Sequence, residues 1–205
     1  MRAPSALSDF AFILDGSSSM EGSQRFSLAY TVLGEAFDIL GEPANLDAFR
    51  ISLITFSDHP TAVFERVPCS RIEHGRIPST PQGGGTNIAL ALDKARVILA
   101  RPSADETPSA RPLGLLLTDG EHNGAESVDE AATRFKAQGD LVAVGFGDAS
   151  LAELGRIATS PNHAVLARSG EDLRRFFVRL AKSVSASVRA GLPAGDNITN
   201  ALLRG

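Results

Sequence analysis

Phe10-Ala11-Phe12-Ile13-Leu14-Asp15-Gly16-Ser17-Ser18-Ser19 is the stretch that decides the fold of this 205-residue chain. Its five apolar residues read as a buried strand, and the polarity changes abruptly at Asp15. Asp15, Ser17 and Ser19 then place one carboxylate and two hydroxyls at alternate positions, with Gly16 allowing a tight loop. Hard cations such as Mg²⁺ take oxygen ligands, a few from the protein and the rest from water or an incoming group. A strand end with this donor pattern is half of such a site. Taken alone, the residues also read as a serine-rich turn capping a helix, because Asp and Ser are ordinary cap and turn residues.

Working outward, short apolar runs alternate with longer amphipathic ones. Residues 24–40 carry Phe26, Ala29, Tyr30, Leu33, Phe37 and Leu40 at helical spacing, with Ser23 as the expected cap and Gly41 as the stop. Residues 49–56 read as a strand. After Ser57-Asp58-His59-Pro60, residues 61–67 read as its antiparallel hairpin partner. Residues 68–85 are loop-like. Residues 87–99 predict a helix with Ile88, Leu92, Ala95, Val97 and Leu99 on its apolar side, and residues 101–111 a polar loop. The continuous apolar run at 113–118 suits a central strand covered on both faces. Helices are predicted at 128–138, 151–158 and 171–188, the last capped by Ser169 or Gly170. Strands are predicted at 141–144 and 163–167.

This alternation predicts a three-layer α/β/α sandwich, with a mostly parallel central sheet and one antiparallel edge strand. Residues 1–190 are expected to form one domain, and residues 191–205 a loosely ordered tail. A hydrophobic content of 43% with 21% charged residues is that of a soluble globular domain. The net charge of -4 argues against general affinity for nucleic acid or anionic membrane, and the absence of Trp argues against a base-stacking platform. No apolar run is long enough to span a bilayer, so membrane insertion is not expected. Residues 10–14 are too short for a signal-peptide core, and the single cysteine, Cys69, leaves no disulfide framework; a cytoplasmic location is expected.

Three loops should meet at the carboxyl end of the sheet, where such sheets bind ligands. They are residues 15–19, Gly83-Gly84-Gly85-Thr86-Asn87 before a helix, and Thr118-Asp119-Gly120-Glu121 after the central strand. Together they offer two carboxylates and three hydroxyls. That set is too poor in charge for a closed calcium cage, but suits an octahedral ion that keeps water and an open position.

In these loops the chain resembles the von Willebrand factor A domains and their metal-ion-dependent adhesion site, a DxSxS motif followed by a later Thr and a later Asp. The resemblance covers roughly residues 8–190. It implies a Rossmann-like fold. It also implies a cation held through the hydroxyls of Ser17, Ser19 and Thr86, with Asp15 and Asp119 supplying charge directly or through water. Mg²⁺ is the expected ion, with Mn²⁺ or Ca²⁺ as alternatives, and a partner's Asp or Glu completes the octahedron. Ser18 departs from the Gly found in many members. LLLTDGE at 115–121, with Phe176, Phe177, Leu180, Ser183 and Ser185, resembles the bacterial intracellular TerY-like branch. That branch implies a non-enzymatic, metal-dependent protein-binding role in a stress or tellurium-resistance complex, beside kinase or phosphatase partners.

Two alternatives stay open: an adaptor subunit of an AAA+ ATPase of the MoxR or chelatase-like type, and a metal-dependent hydrolase. Against the second, no G-x-S-x-G elbow surrounds Ser17 or Ser19. His59, His74, His122 and His163 lack zinc-site spacing. His122, three residues after Asp119, reads as a loop residue or a partner contact. Arg174, Arg175 and Arg179 read as a solvated helix face or a dock for an acidic partner.

Overall fold

The computed structural model describes residues 7–45, 47–101 and 111–190. The expected tail at 191–205 and most of the expected loop at 101–111 lie outside these. Strands β1 (Ser8–Asp15), β2 (Phe49–Phe56), β3 (Pro60–Pro68), β4 (Leu113–Thr118), β5 (Asp140–Phe146) and β6 (Ala164–Ala167) form one sheet in the order β3-β2-β1-β4-β5-β6. Among the described residues, only the β2–β3 hairpin pair is antiparallel. Helices α1 (Arg25–Leu40) and α5 (Gly170–Arg189) cover one face; α2 (Ile88–Leu99), α3 (Val128–Lys136) and α4 (Leu151–Ile157) cover the other. The α/β/α sandwich with one antiparallel edge is thus the observed architecture.

The two-residue period of a strand sorts the core. Phe10, Phe12 and Leu14 of β1 join Leu113, Leu115 and Leu117 of β4 under α1 and α5. Ala11, Ile13 and Leu116 point to the opposite face, against α2 and α3. Every residue of β1 and β4 is buried, and their runs 10–14 and 113–117 carry no polar side chain, as strands covered on both faces require. Phe12 meets Phe37 edge-to-face at 4.9 Å between ring centroids. Each such buried side chain stabilises the fold by about 1.5–3 kcal/mol.

Several local expectations change. Ser23 falls inside a 3₁₀ segment, Ser18–Gln24, that runs directly into α1. Asn87, predicted as the first helical residue, instead caps α2: its side chain accepts the Leu90 N–H. Val97 is 48% exposed, because the apolar face of α2 follows Ile88, Ala91, Leu92, Ala95 and Ile98 instead. Ser169 does cap α5, accepting from the Asp172 N–H. Phe177 and Leu180 are core, and Ser185 accepts a hydrogen bond from the buried Asn45 amide at 3.1 Å. Much of the pattern that resembled the TerY-like branch therefore does packing work.

Candidate functional site

The strand order places the site. After β1 the chain moves to β2 on one side; β4 later docks on the other side of β1. Such a reversal opens a crevice at the carboxyl ends of the two central strands. Asp15 is the last residue of β1 and Thr118 the last of β4, so Asp15 and Asp119 both emerge there.

Residues 82–84 close over this end. The Gly16 carbonyl accepts the N–H groups of Gln82 (2.8 Å) and Gly83 (2.9 Å), and the Ser18 N–H donates to the Gly84 carbonyl at 3.1 Å. Gly84 returns the bond to the Ser18 hydroxyl at 2.9 Å. This crossing needs positive φ at Gly83 (76°) and Gly84 (86°), where a side chain is strained. Ser18 thus engages the glycine loop, which gives the departure from Gly at this position a structural role.

The expected donors form one connected set. Asp15 is fully buried; its Oδ1 accepts the Ser17 N–H at 2.9 Å and its Oδ2 the Thr118 hydroxyl at 2.5 Å. The Ser17 and Ser19 hydroxyl oxygens lie 3.0 Å apart. Ser19 donates to Asp119 Oδ1 at 2.6 Å. Thr86 is buried at the same place: a Cβ on Gly120 would lie 3.9 Å from both Thr86 Oγ1 and Ser19 Oγ. Asp15, Ser17, Ser19, Thr86 and Asp119 are therefore brought together from three loops.

The electrostatics are unusual for so buried a place. Burial pushes the Asp15 carboxyl above its ordinary range, against the hydrogen bonds from Thr118 and Ser17; the nearby Asp119 charge adds to the rise. Asp119 is 2% exposed and carries an ion pair that the sequence reading missed: Arg25 Nη1 donates to its Oδ2 at 2.6 Å. Arg25 also reaches Asp148 at 3.3 Å. The Asp119 carboxylate in turn pushes the Arg25 guanidinium further up. One signal for Arg25 was present: it stands in the first turn of α1, where a cation opposes the helix dipole.

Asn123 was also missed. Its side-chain oxygen accepts the Thr86 N–H at 2.7 Å, and its own N–H donates to the Thr86 carbonyl at 3.0 Å, clamping Thr86 from both sides. His122 Nδ1 accepts the Ile88 N–H at 3.2 Å, and Nε2 lies 2.6 Å from the Glu126 carbonyl. Both ring nitrogens are engaged, which fixes the tautomer with the proton on Nε2. His122 is thus a fastening for the start of α2.

Among the described residues no group of three or more His, Cys, Asp and Glu side chains is placed to hold a metal ion. A cation here would depend on hydroxyls. The donor set fits a hard divalent ion: each carboxylate oxygen accepts one hydrogen bond and keeps a second lone pair, as do the serine oxygens.

The family model for the von Willebrand factor type A domain matches residues 9–179. A mouse (Mus musculus) collagen alpha-5(VI) chain is 28% identical over 202 residues, covering 94% of this chain and 7% of the collagen. Proximal thread matrix protein 1 from the mussel byssus, solved with a zinc-occupied MIDAS motif, is 25% identical with a TM-score of 0.69. The match covers 90% of this chain and 47% of that one. A von Willebrand factor type A structure from Catenulispora acidiphila shares the fold, with a TM-score of 0.71 at 19% identity over 87% of this chain and 42% of that one. The chain spans under half the length of these solved chains and under a tenth of the collagen. Among the described residues, no helix is long and apolar enough to cross a membrane.

Proposed function

The chain belongs to the von Willebrand factor type A domain family, and from that premise we propose that it is a Mg²⁺-dependent module that grips an acidic residue of a protein partner. The hydroxyls of Ser17, Ser19 and Thr86 would hold the ion, with Asp15 and Asp119 bound directly or through water. A cation in this place supplies the uncompensated positive charge that a partner's Asp or Glu completes. The observation that carries the proposal is the hydrogen-bonded set of Ser17, Ser19 and Asp119, with the Thr86 hydroxyl beside it, over two buried carboxylates. Mg²⁺, or Mn²⁺ in its place, is preferred to the zinc of the mussel protein because no nitrogen or sulfur ligand stands among the proposed donors.

The role is binding rather than catalysis. A serine nucleophile needs an adjacent base, and the imidazole nearest in sequence, His122, has both nitrogens engaged with backbone groups. A cytoplasmic, TerY-like setting belongs to the same proposal and rests on sequence pattern. The relatives named as a collagen chain and a thread matrix protein make cell fractionation its direct check.

The test is affinity purification from native lysate with the parent chain and with Asp15→Ala, in Mg²⁺ and in EDTA, followed by mass spectrometry. Partners retained by the parent only with Mg²⁺, and lost from the folded variant, are the expected result. Equal capture by Asp15→Ala would overturn the metal-bridged mechanism. The captured proteins would show whether a kinase, a phosphatase or an AAA+ ATPase is the companion.

A further inference from the structure

Arg25 sits where a second cation is needed. Two carboxylates, Asp15 and Asp119, are buried side by side in the site, and the groups that hydrogen-bond Asp15 are uncharged: the Ser17 N–H and the Ser17 and Thr118 hydroxyls. The positive charge that reaches the pair comes through Arg25, whose Nη1 lies 2.6 Å from Asp119 Oδ2. The guanidinium is itself only 18% exposed. The fold is shaped to hold it there. The turn after β5 passes so close that a Cβ on Gly147 would lie 2.7 Å from Arg25 Cζ. Gly147 also has a φ of 69°, where a side chain is strained, and a Cβ there would displace the guanidinium. Beyond the turn, Asp148 provides the outer anchor at 3.3 Å. The Ser19 hydroxyl holds the other Asp119 oxygen. The Asp119 carboxylate is therefore fastened at both ends by this chain's own groups.

From this geometry we propose that Arg25 is a built-in counter-cation that sets the metal affinity of the site. It stabilises Asp119 in the absence of metal, and its fixed charge repels a divalent ion brought to the same carboxylate. The inference rests on the metal-site reading proposed above, which it deepens. Two like charges sharing one carboxylate in a poorly solvated place repel strongly. The chain should therefore bind divalent ions weakly, and binding should tighten when the Arg25 charge is removed. With Arg25 in place, the loaded site retains more positive charge for an acidic partner than its own two carboxylates would leave. Weak metal binding and a strong demand for an anionic ligand then go together, so metal and partner bind cooperatively.

The test is calorimetric titration of the full chain with Mn²⁺, comparing the parent with Arg25→Gln, Arg25→Lys and Asp15→Ala. Arg25→Gln keeps hydrogen-bonding capacity but loses the charge; it is expected to bind Mn²⁺ about tenfold more tightly or better, the effect of one close charge. Arg25→Lys keeps the charge and should stay within about threefold of the parent, well short of that tenfold step. A purely hydrogen-bonding role predicts no tightening for Arg25→Gln, which keeps a donor. Arg25→Gln affinity equal to or weaker than the parent's, while Asp15→Ala binds nothing, overturns the counter-cation proposal alone. Mn²⁺ binding to Asp15→Ala as tight as the parent's overturns the metal reading, and this inference with it. Thermal melting covers a poorly folded titration sample: Mn²⁺ must raise the Tm of Arg25→Gln more than that of the parent, and a smaller rise counts against the proposal.

Discussion

Replacing Asp15 by Asn separates the charge of the site from its hydrogen bonds. Asp15 is fully buried, and its two oxygens accept from the Ser17 N–H and the Thr118 hydroxyl. An asparagine in the same rotamer keeps both contacts: its oxygen takes the Ser17 N–H, and its amide donates to Thr118 Oγ1. The Thr118 hydroxyl is then free to donate to the Gly120 carbonyl, 3.2 Å away. What disappears is the buried negative charge, whose desolvation holds the Asp15 carboxyl above its ordinary range. Without metal, Asp15→Asn should therefore melt at or above the parent's temperature. With metal the order inverts. At a free Mg²⁺ concentration a hundredfold above Kd, mass action stabilises the parent by about 2.7 kcal/mol. In a domain of this size that raises Tm by about 5–10 °C. The variant has lost a charged ligand and should show no metal-dependent shift. Scanning calorimetry of both proteins, in EDTA and across a Mg²⁺ series, reads both effects. A full metal shift in Asp15→Asn would refute the ligand role of Asp15. A metal-free variant melting more than about 4 °C below the parent, or about 1 kcal/mol or more, would refute the charge argument.

Other expectations follow from the core and its edges. Burial holds the His163 imidazole below the ordinary value of 6.5, so the unfolded chain takes up a proton first as the pH falls. Its contribution to stability should be complete above pH 6.5 and decline as the pH drops through the folded value; denaturation curves of His163→Gln that keep the parent's acid slope would count against this. Burial pushes the Cys69 thiol up to about 12, and the group donates to the Phe37 carbonyl. Iodoacetamide should therefore label it at the rate of unfolding, and rapid modification of the native chain would contradict that. A Cβ on Gly114 would lie 2.5 Å from Phe135 Cζ and 3.0 Å from Leu141 Cδ1. Gly114→Ala should lose about 1–3 kcal/mol by overpacking, and an unchanged urea midpoint would show that Phe135 yields freely.

What could be read from the chain depended on how local the cause was. Strands β1 and β4 were legible because strands buried on both faces need uninterrupted apolar residues, and the residues of 10–14 and 113–117 supply them. Asp15, Ser17, Ser19, Thr86 and Asp119 were legible because each stands at a strand end or helix start. Their meeting at one end of the sheet follows from strand order. Val97 was misassigned because an apolar residue one step off the helical stripe looks like part of it until the neighbouring element fixes which arc is covered. His122 looked available because a loop histidine shows nothing of the helix start its ring fastens.

By itself, then, the sequence determined the layers, the edge hairpin and the positions of five oxygen-bearing side chains at the ends of strands and starts of helices, since hydrophobic periodicity and turn chemistry act within a few residues. The tertiary structure alone decided which charges meet at that place. Arg25 and Asp119 are 94 residues apart and Arg25 and Asp148 are 123 apart, and no spacing rule links them. Only the docking of α1 beside the turn after β5, with no side chain on Gly147 to obstruct it, brings the guanidinium onto the carboxylate. Coulomb interactions depend on distance in space and on burial, and both are fixed only when the chain has closed.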